Sequence, residues 1–161
     1  MTPLGRLWAP WRGRYITRLA RRPARGCLFC RARRATDDHR HWVVSRGRRA
    51  FVLLNCYPYN NGHLLVAPNR HVAGVRQLQD AELLELWRLA DRFLHRLDRI
   101  LRPHGYNVGL NLGHAAGAGV PGHLHLHVVP RWHGDTNFMS TVAGTKVISD
   151  SLESLYRRLT S

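Results

Sequence analysis

Negative charge is scarce in this chain. Ten Asp and Glu stand against 25 Lys and Arg, giving a formal net charge of +15 and a pI near 11.4. Lysine is scarcer still: Lys146 is the only one, and every other basic residue is arginine. Such a balance points to a polyanionic partner, whether nucleic acid, an anionic membrane or phosphate-rich nucleotides. The arginines are spread along the chain, in Arg21-Arg22, Arg33-Arg34 and Arg48-Arg49 among others. A compositional bias of the source genome produces the same scatter, so charge permits nucleic acid as a partner without favouring it. The single ammonium in Gly144-Thr145-Lys146-Val147 reads either as chance or as a compact phosphate contact.

Long apolar runs are missing as well. No stretch approaches the roughly 18 residues of a membrane span, and Met1-Thr2-Pro3-Leu4-Gly5-Arg6 lacks the apolar core of a signal peptide. The expectation is a cytoplasmic protein without a membrane partner. Cysteine is limited to three residues, which in a reducing compartment argues against a structural disulfide. There is no internal repeat and no low-complexity segment apart from the arginine bias. What remains is a chain of 161 residues, 44% hydrophobic with five Trp, enough for one domain with a real core.

Residues 1–40 are basic and rich in turn formers, and are expected to be irregular. Leu7-Trp8-Ala9-Pro10-Trp11 within them needs something to pack on, a partner subunit being one candidate. Apolar runs at 42–45 and 51–55, separated by Arg46-Gly47-Arg48-Arg49, predict a hairpin. After the turn-forming Tyr57-Pro58-Tyr59-Asn60-Asn61-Gly62, residues 63–67 predict a third strand. Asp80 is a suitable N-cap for a long helix. Its apolar stripe is Leu83, Leu86, Trp87, Ala90, Phe93, Leu94, Leu97 and Leu101, and Pro103 ends it. Residues 106–112 and 124–129 predict the fourth and fifth strands. Asp150 with Glu153 resembles a capping box for a short C-terminal helix burying Leu152, Leu155, Tyr156 and Leu159. The order predicts an α+β fold: an antiparallel sheet of about five strands, one long helix and a short C-terminal helix. The core spans 41–150, the last helix 150–161.

The most informative run is His123-Leu124-His125-Leu126-His127-Val128-Val129. Alternation at period two predicts a half-buried strand with three imidazoles on one face and Leu124, Leu126 and Val128 on the other. Eleven histidines scattered at random would give this spacing well under once in the chain. Imidazole titrates near neutral pH and serves as nucleophile, proton shuttle or metal ligand. A surface strand in a histidine-rich protein is the bland reading. A zinc site built from the three imidazoles is the rival one. Cys27-Leu28-Phe29-Cys30 is a C-x-x-C pair, alone a weak signal for zinc or redox chemistry.

Taken together, Asn107-Val108-Gly109-Leu110-Asn111-Leu112-Gly113, Ala116-Gly117-Ala118-Gly119 and the histidine run resemble the signature of the histidine-triad (HIT) superfamily. Leu53-Leu54-Asn55-Cys56-Tyr57-Pro58-Tyr59-Asn60-Asn61-Gly62-His63 is similar to its upstream half. The wording most resembles the branch acting on diadenosine polyphosphates, over about residues 50–150. The resemblance implies a covalent mechanism. His125 would attack the α-phosphate of a nucleotide, and water or inorganic phosphate would then release nucleotidyl-His125. It further implies that His127 donates to a phosphate or leaving oxygen and that Asn111 contacts phosphate. Gly117 and Gly119 would bring backbone N–H groups to phosphate, Asn55 would bind the ribose, and Leu53 would back the base. For Leu53 an ordinary core position is an equal alternative. His63 would orient the triad, and Lys146 or Arg131 would supply charge for an incoming phosphate.

Relatives carrying the C-x-x-C pair imply structural Zn²⁺ on Cys27, Cys30, His71 and His123, with His39 and His41 as alternative ligands. Cys56 is read as a packing residue. Homodimers, or tetramers, are implied as the assembly. One departure is plain: several hydrolase branches carry Gln, Ser or Thr ahead of the triad, where this chain has Gly119-Val120-Pro121-Gly122. That tilts the expectation toward phosphorolysis of dinucleoside polyphosphates over hydrolysis. A nucleoside phosphoramidase, an adenylate-removing hydrolase and a zinc-dependent nucleic-acid-binding module are the alternatives.

Overall fold

The computed structural model describes residues 26–136, 148 and 150–161. Thr136 apart, they belong to one compact unit, Ala24–Asp135 with Ile148–Ser161, and the fold below is that unit's. Leu7, Trp8, Trp11 and Lys146 lie outside the described residues.

The unit runs α1 (Leu28–Arg34), β1 (Val43–Arg46), β2 (Ala50–Leu54), β3 (Leu64–Pro68), a 3-10 turn at Val75–Gln77, α2 (Asp80–Leu101), β4 (Gly105–Leu110), β5 (Leu126–Arg131) and α3 (Leu152–Thr160). The strands form one antiparallel sheet in the order β1-β2-β3-β5-β4. The α+β expectation, with five strands and the two named helices, is met.

Both sheet faces are covered, which is why β2 and β3 read as unbroken apolar runs. Ala50, Val52, Leu54, Leu64, Val66, Leu126 and Val128 pack against Leu86, Leu89, Ala90, Phe93 and Leu97 of α2 and Leu155 and Leu159 of α3. On the opposite face Val43, Phe51, Leu53, Leu65 and Ala67 pack against Phe29 and Ala32 of α1. At period two, Leu126 and Val128 on the α2 side put His125 and His127 on the α1 side.

Several details differ from expectation. The segment expected to be irregular contains α1, which is held by Phe29 and Ala32 at i, i+3 on its buried side. The cap of α2 is Gln79, with the Glu82 carboxylate accepting from the Gln79 N–H at 2.9 Å, so Asp80 is the first helical residue. Ser151, not Asp150, caps α3, its hydroxyl accepting from Ser154 N–H at 3.1 Å. Leu83 and Trp87 are exposed, while Leu89 joins the core. β5 starts at Leu126, so His123 and His125 precede it and only His127 lies on the strand.

Candidate active site and metal centre

The loop between β2 and β3 has to reverse direction and deliver His63 into the sheet. Gly62 takes a left-handed φ of 74°, open to glycine at little cost, and a Cβ there would lie 2.5 Å from Leu101 Cδ1. His63 is fully buried, His123 and His125 nearly so. Each of these rings has its proton placed by a backbone partner.

His125 Nδ1 lies 2.8 Å from the carbonyl oxygen of His123. A carbonyl only accepts, so Nδ1 carries the hydrogen and Nε2 keeps its lone pair. His127 is set the other way round. The Tyr59 N–H donates to His63 Nδ1 at 3.0 Å, so the His63 proton sits on Nε2. That N–H donates to His127 Nδ1 at 2.9 Å, leaving the His127 proton on Nε2. Among the described residues His127 Nε2 is buried without a hydrogen-bond partner. Neighbouring rings, 4.9 Å apart between centroids, thus present a lone pair and an N–H.

Burial keeps these rings neutral. Desolvation, then the charges of His127 and His125, pushes His63 down to about 3. Desolvation and the neighbouring His125 push His127 down to about 4. His125 is also lowered by burial, against which the bond to the His123 carbonyl pulls upward. A nucleophilic imidazole must be unprotonated, and this environment favours that form at neutral pH.

Two aromatic residues that sequence reasoning missed hold the rings. Phe29 packs on His125 and His123, with centroids at 4.8 and 5.0 Å. Tyr59 stacks on His127 at 5.7 Å and an interplanar angle of 12°. Their place in the sequence offered a signal: Phe29 sits inside the C-x-x-C pair, and Tyr59 lies four residues before His63.

Asn55 and Asn111 reach the same region. Asn55 Oδ1 accepts from Tyr57 N–H at 2.9 Å, and its amide lies 3.3 Å from His63 Nδ1. Asn111 follows β4 directly. Extending the pairing of Leu110 with Leu126 places it opposite His125. Leu53 is buried in the α1-side cluster. Gly117 and Gly119 lie in an exposed loop. The Gly117 N–H already donates to the His114 carbonyl at 2.9 Å, so this turn does not leave it free for phosphate. Arg131 is also engaged, its Nε and a terminal nitrogen on Asp135 at 2.6 and 2.9 Å and the other on Asn107 at 2.6 Å. It does not supply the free charge expected of it.

The third imidazole belongs to a different cluster. His123 Nε2–H donates to the Pro68 carbonyl at 2.9 Å, so Nδ1 is a lone pair. It faces Cys27 Sγ at 3.3 Å, Cys30 Sγ at 3.7 Å and His71 Nδ1 at 3.2 Å, and Cys30 Sγ lies 3.4 Å from His71 Nδ1. All four donor atoms fall within 4.8 Å of one another. Tetrahedral zinc with bonds of about 2.0–2.1 Å to N and 2.3 Å to S requires ligand separations of about 3.3–3.8 Å. The donor set and its spacing therefore fit a metal ion, and the four residues could hold one. His39 is committed elsewhere, to Glu153 at 2.7 Å, and His41 is outside the cluster.

Comparison with known proteins agrees with this geometry. The HIT domain family model matches residues 38–134. The AP-4-A phosphorylase of Mycobacterium tuberculosis is 40% identical over 97% of this chain and 83% of its own length. The asymmetrical bis(5'-nucleosyl)-tetraphosphatase of Schizosaccharomyces pombe is 30% identical over 58% of this chain and 50% of its own. A zinc-bound histidine triad family protein from Mycobacterium smegmatis superposes with a TM-score of 0.67 at 25% identity, covering 84% of this chain and 91% of that one. The family match, the M. tuberculosis relative and the triad place this chain in the HIT family.

Proposed function

We propose that this protein is an enzyme that cleaves dinucleoside polyphosphates such as diadenosine tetraphosphate through a nucleotidyl-histidine intermediate. The observation that carries this reading is the opposite polarity of His125 and His127. The His125 Nε2 lone pair attacks the α-phosphorus and the P–O bond to the rest of the polyphosphate breaks. The departing oxygen accepts a hydrogen bond or proton from His127 Nε2–H. The acceptor then attacks nucleotidyl-His125, returns a proton to the site and regenerates the neutral ring. Asn111, beside His125, binds a phosphate oxygen, and Asn55 binds the ribose with Leu53 behind the base. Gly119 completes the nucleotide contacts among the described residues; Lys146, the remaining candidate for charge at the acceptor, lies outside them.

Inorganic phosphate is the preferred acceptor in this reading. Its support is the M. tuberculosis relative's name and the small residues 119–122 ahead of the triad, where a Cβ on Gly119 would meet nothing within 4 Å. A structural zinc on Cys27, Cys30, His71 and His123 supplies a rigid crosslink between the start of α1 and His123. The enzyme works as a homodimer or homotetramer in the cytoplasm. No helix among the described residues is long and apolar enough to cross a membrane.

The test is product analysis on diadenosine tetraphosphate with and without inorganic phosphate. ADP plus ATP formed only with phosphate is the expected result. AMP plus ATP regardless of phosphate overturns the acceptor preference. A His125→Ala variant that turns over at the wild-type rate overturns the covalent step.

A further inference from the structure

The face of the described unit opposite the triad carries a cluster of arginines. The turn between β1 and β2 meets α2 in an open groove of about 570 Å³, lined by Arg48, Arg49, Arg88 and Arg92 around one carboxylate, Glu85. Five described arginines, Arg46, Arg70, Arg131, Arg157 and Arg158, are matched by carboxylates within 3.0 Å. None of the four groove arginines has such a carboxylate partner among the described residues. Their formal charge of four against one carboxylate leaves an unmatched positive surface.

The turn that displays them is rigidly built, unlike an ordinary exposed hairpin tip. Glu85 Oε1 accepts from Arg49 N–H at 2.9 Å. A Cβ on Gly47 would collide with that same oxygen and would lie 2.8 Å from the Ala50 carbonyl oxygen, a backbone atom that cannot swing aside, so the turn needs glycine here. Asn69 clamps the other side, its N–H on the Arg49 carbonyl at 2.7 Å and its amide on the Arg48 carbonyl at 3.0 Å. Arg46 anchors the base of the turn on the carbonyls of Ala32, Arg33 and Ala35. The backbone of residues 46–49 is therefore fixed relative to α2. Arg48 and Arg49 face Arg88 and Arg92, which lie one helical turn apart. At 100° per residue, Leu83 and Trp87 point to the other flank of α2, away from the groove.

We propose that this groove binds a chain of linked phosphates, as a free oligophosphate or as the polyphosphate arm of a nucleotide. Guanidinium forks match phosphate oxygens in pairs, and four of them bracket several consecutive phosphates. No aromatic side chain lines the groove, so it lacks the aromatic platforms on which single-strand binders stack successive bases. That absence favours a phosphate chain over a single-stranded nucleic acid. The inference stands independently of the cleavage reaction, because the groove lies on the α2 side of the sheet and the triad on the α1 side.

Calorimetric titration of the full-length protein with tripolyphosphate at 0.15 M salt tests it. The Arg88→Gln/Arg92→Gln variant is expected to bind at least tenfold more weakly than wild type, and Arg48→Gln, from the other wall, several-fold more weakly. Arg40→Gln/Arg76→Gln removes the same charge from exposed positions off α2 and outside the groove lining, and is expected to change affinity less than twofold. Equal losses in both double variants would reduce the effect to diffuse attraction by a basic protein and overturn the site, as would no loss in either. Repeating the titration with ATP separates the two sources: equal binding assigns a free phosphate chain, tighter binding lost in the same variant a nucleotide's arm. A single-stranded oligonucleotide that binds more tightly than either, through the same arginines, would replace the proposal. Cleavage of diadenosine tetraphosphate by the Arg88→Gln/Arg92→Gln variant is expected to stay within twofold of wild type. If the cleavage reading fails, every protein fails that assay alike and the titrations still report the groove.

Discussion

His63 Nε2–H donates to His127 Nδ1 at 2.9 Å, and this bond decides that the His127 proton sits on Nε2. Neither ring could do this alone, since His63 takes its own tautomer from the Tyr59 N–H. Replacing His63 by Ala removes the donor and frees His127 to adopt the other tautomer. The expected cost is about 10–100-fold in kcat, the range typical of partners that orient a functional imidazole. KM should change far less, and steady-state kinetics on diadenosine tetraphosphate separates the two.

The same burial makes stability sensitive to acid. His63 and His127 stay neutral in the fold down to about 3 and 4, whereas in the unfolded chain they protonate near 6.5. The unfolded state therefore binds more protons below pH 6.5, and stability is lost as pH falls from there toward 4. The slope reaches about 1.4 kcal/mol per pH unit for each ring in that window and vanishes above pH 7. Urea denaturation at pH 7.5, 6 and 5 measures it. A His63→Gln variant, with no group to titrate, is expected to show a shallower dependence.

Periodicity carried most of this architecture because burial follows it. β2 and β3 lie within a residue or two of their expected limits, and α2 ends before Pro103 as expected. The errors have physical sources. Apolar spacing cannot tell a helix flank facing the core from one left exposed, so Leu83 and Trp87 were assigned to the interior and Leu89 was not. Alternation continued through His123 and His125 although the hydrogen-bonded strand begins only at Leu126. At seven residues and rich in arginine, α1 shows only Phe29 and Ala32 of its buried side. For the site, the spacing and the family resemblance located the imidazoles. The tautomers were not legible, because they depend on the Tyr59 N–H and the His123 and Pro68 carbonyls, whose positions only the fold supplies.

Gly62 is the backbone hinge that allows His63 to reach His127. Its φ of 74° disfavours any L side chain, and a Cβ there would also press on Leu101, Leu97 and Pro130. Gly62→Ala is expected to destabilise by about 2–4 kcal/mol, combining left-handed strain with overpacking. Thermal unfolding should show the loss. Because Leu97 is a core residue of α2, the strain is expected to reach the helix as well as the loop.

Arg70 and Glu82 tie the loop carrying His71 to α2. Glu82 is buried and accepts from Arg70 Nε at 2.7 Å and a terminal nitrogen at 2.6 Å, which holds its carboxyl down at about 2. Arg70→Ala leaves that carboxylate buried with only the Gln79 N–H. Because the Arg70 side chain is about half exposed, water screens part of the effect, and a loss of about 1–3 kcal/mol is expected.

The cluster of Cys27, Cys30, His71 and His123 makes the last prediction. The carbonyl of His123 holds His125 Nδ1–H, while its ring faces the two sulfurs and His71. Metal bound there would fix the residue whose carbonyl holds the His125 ring. Purified protein is expected to contain about one zinc per protomer by elemental analysis, and Cys27→Ser none or much less. Chelation should lower the unfolding temperature, and zinc should restore it, because the ligand binds the folded state. Chelated protein should also lose kcat with the His125 ring less firmly held. Its remaining activity should still be abolished by His125→Ala, since the metal orients the nucleophile and does not replace it. Wild-type protein that is metal-free, fully stable and fully active would show that the four donors are held by packing alone.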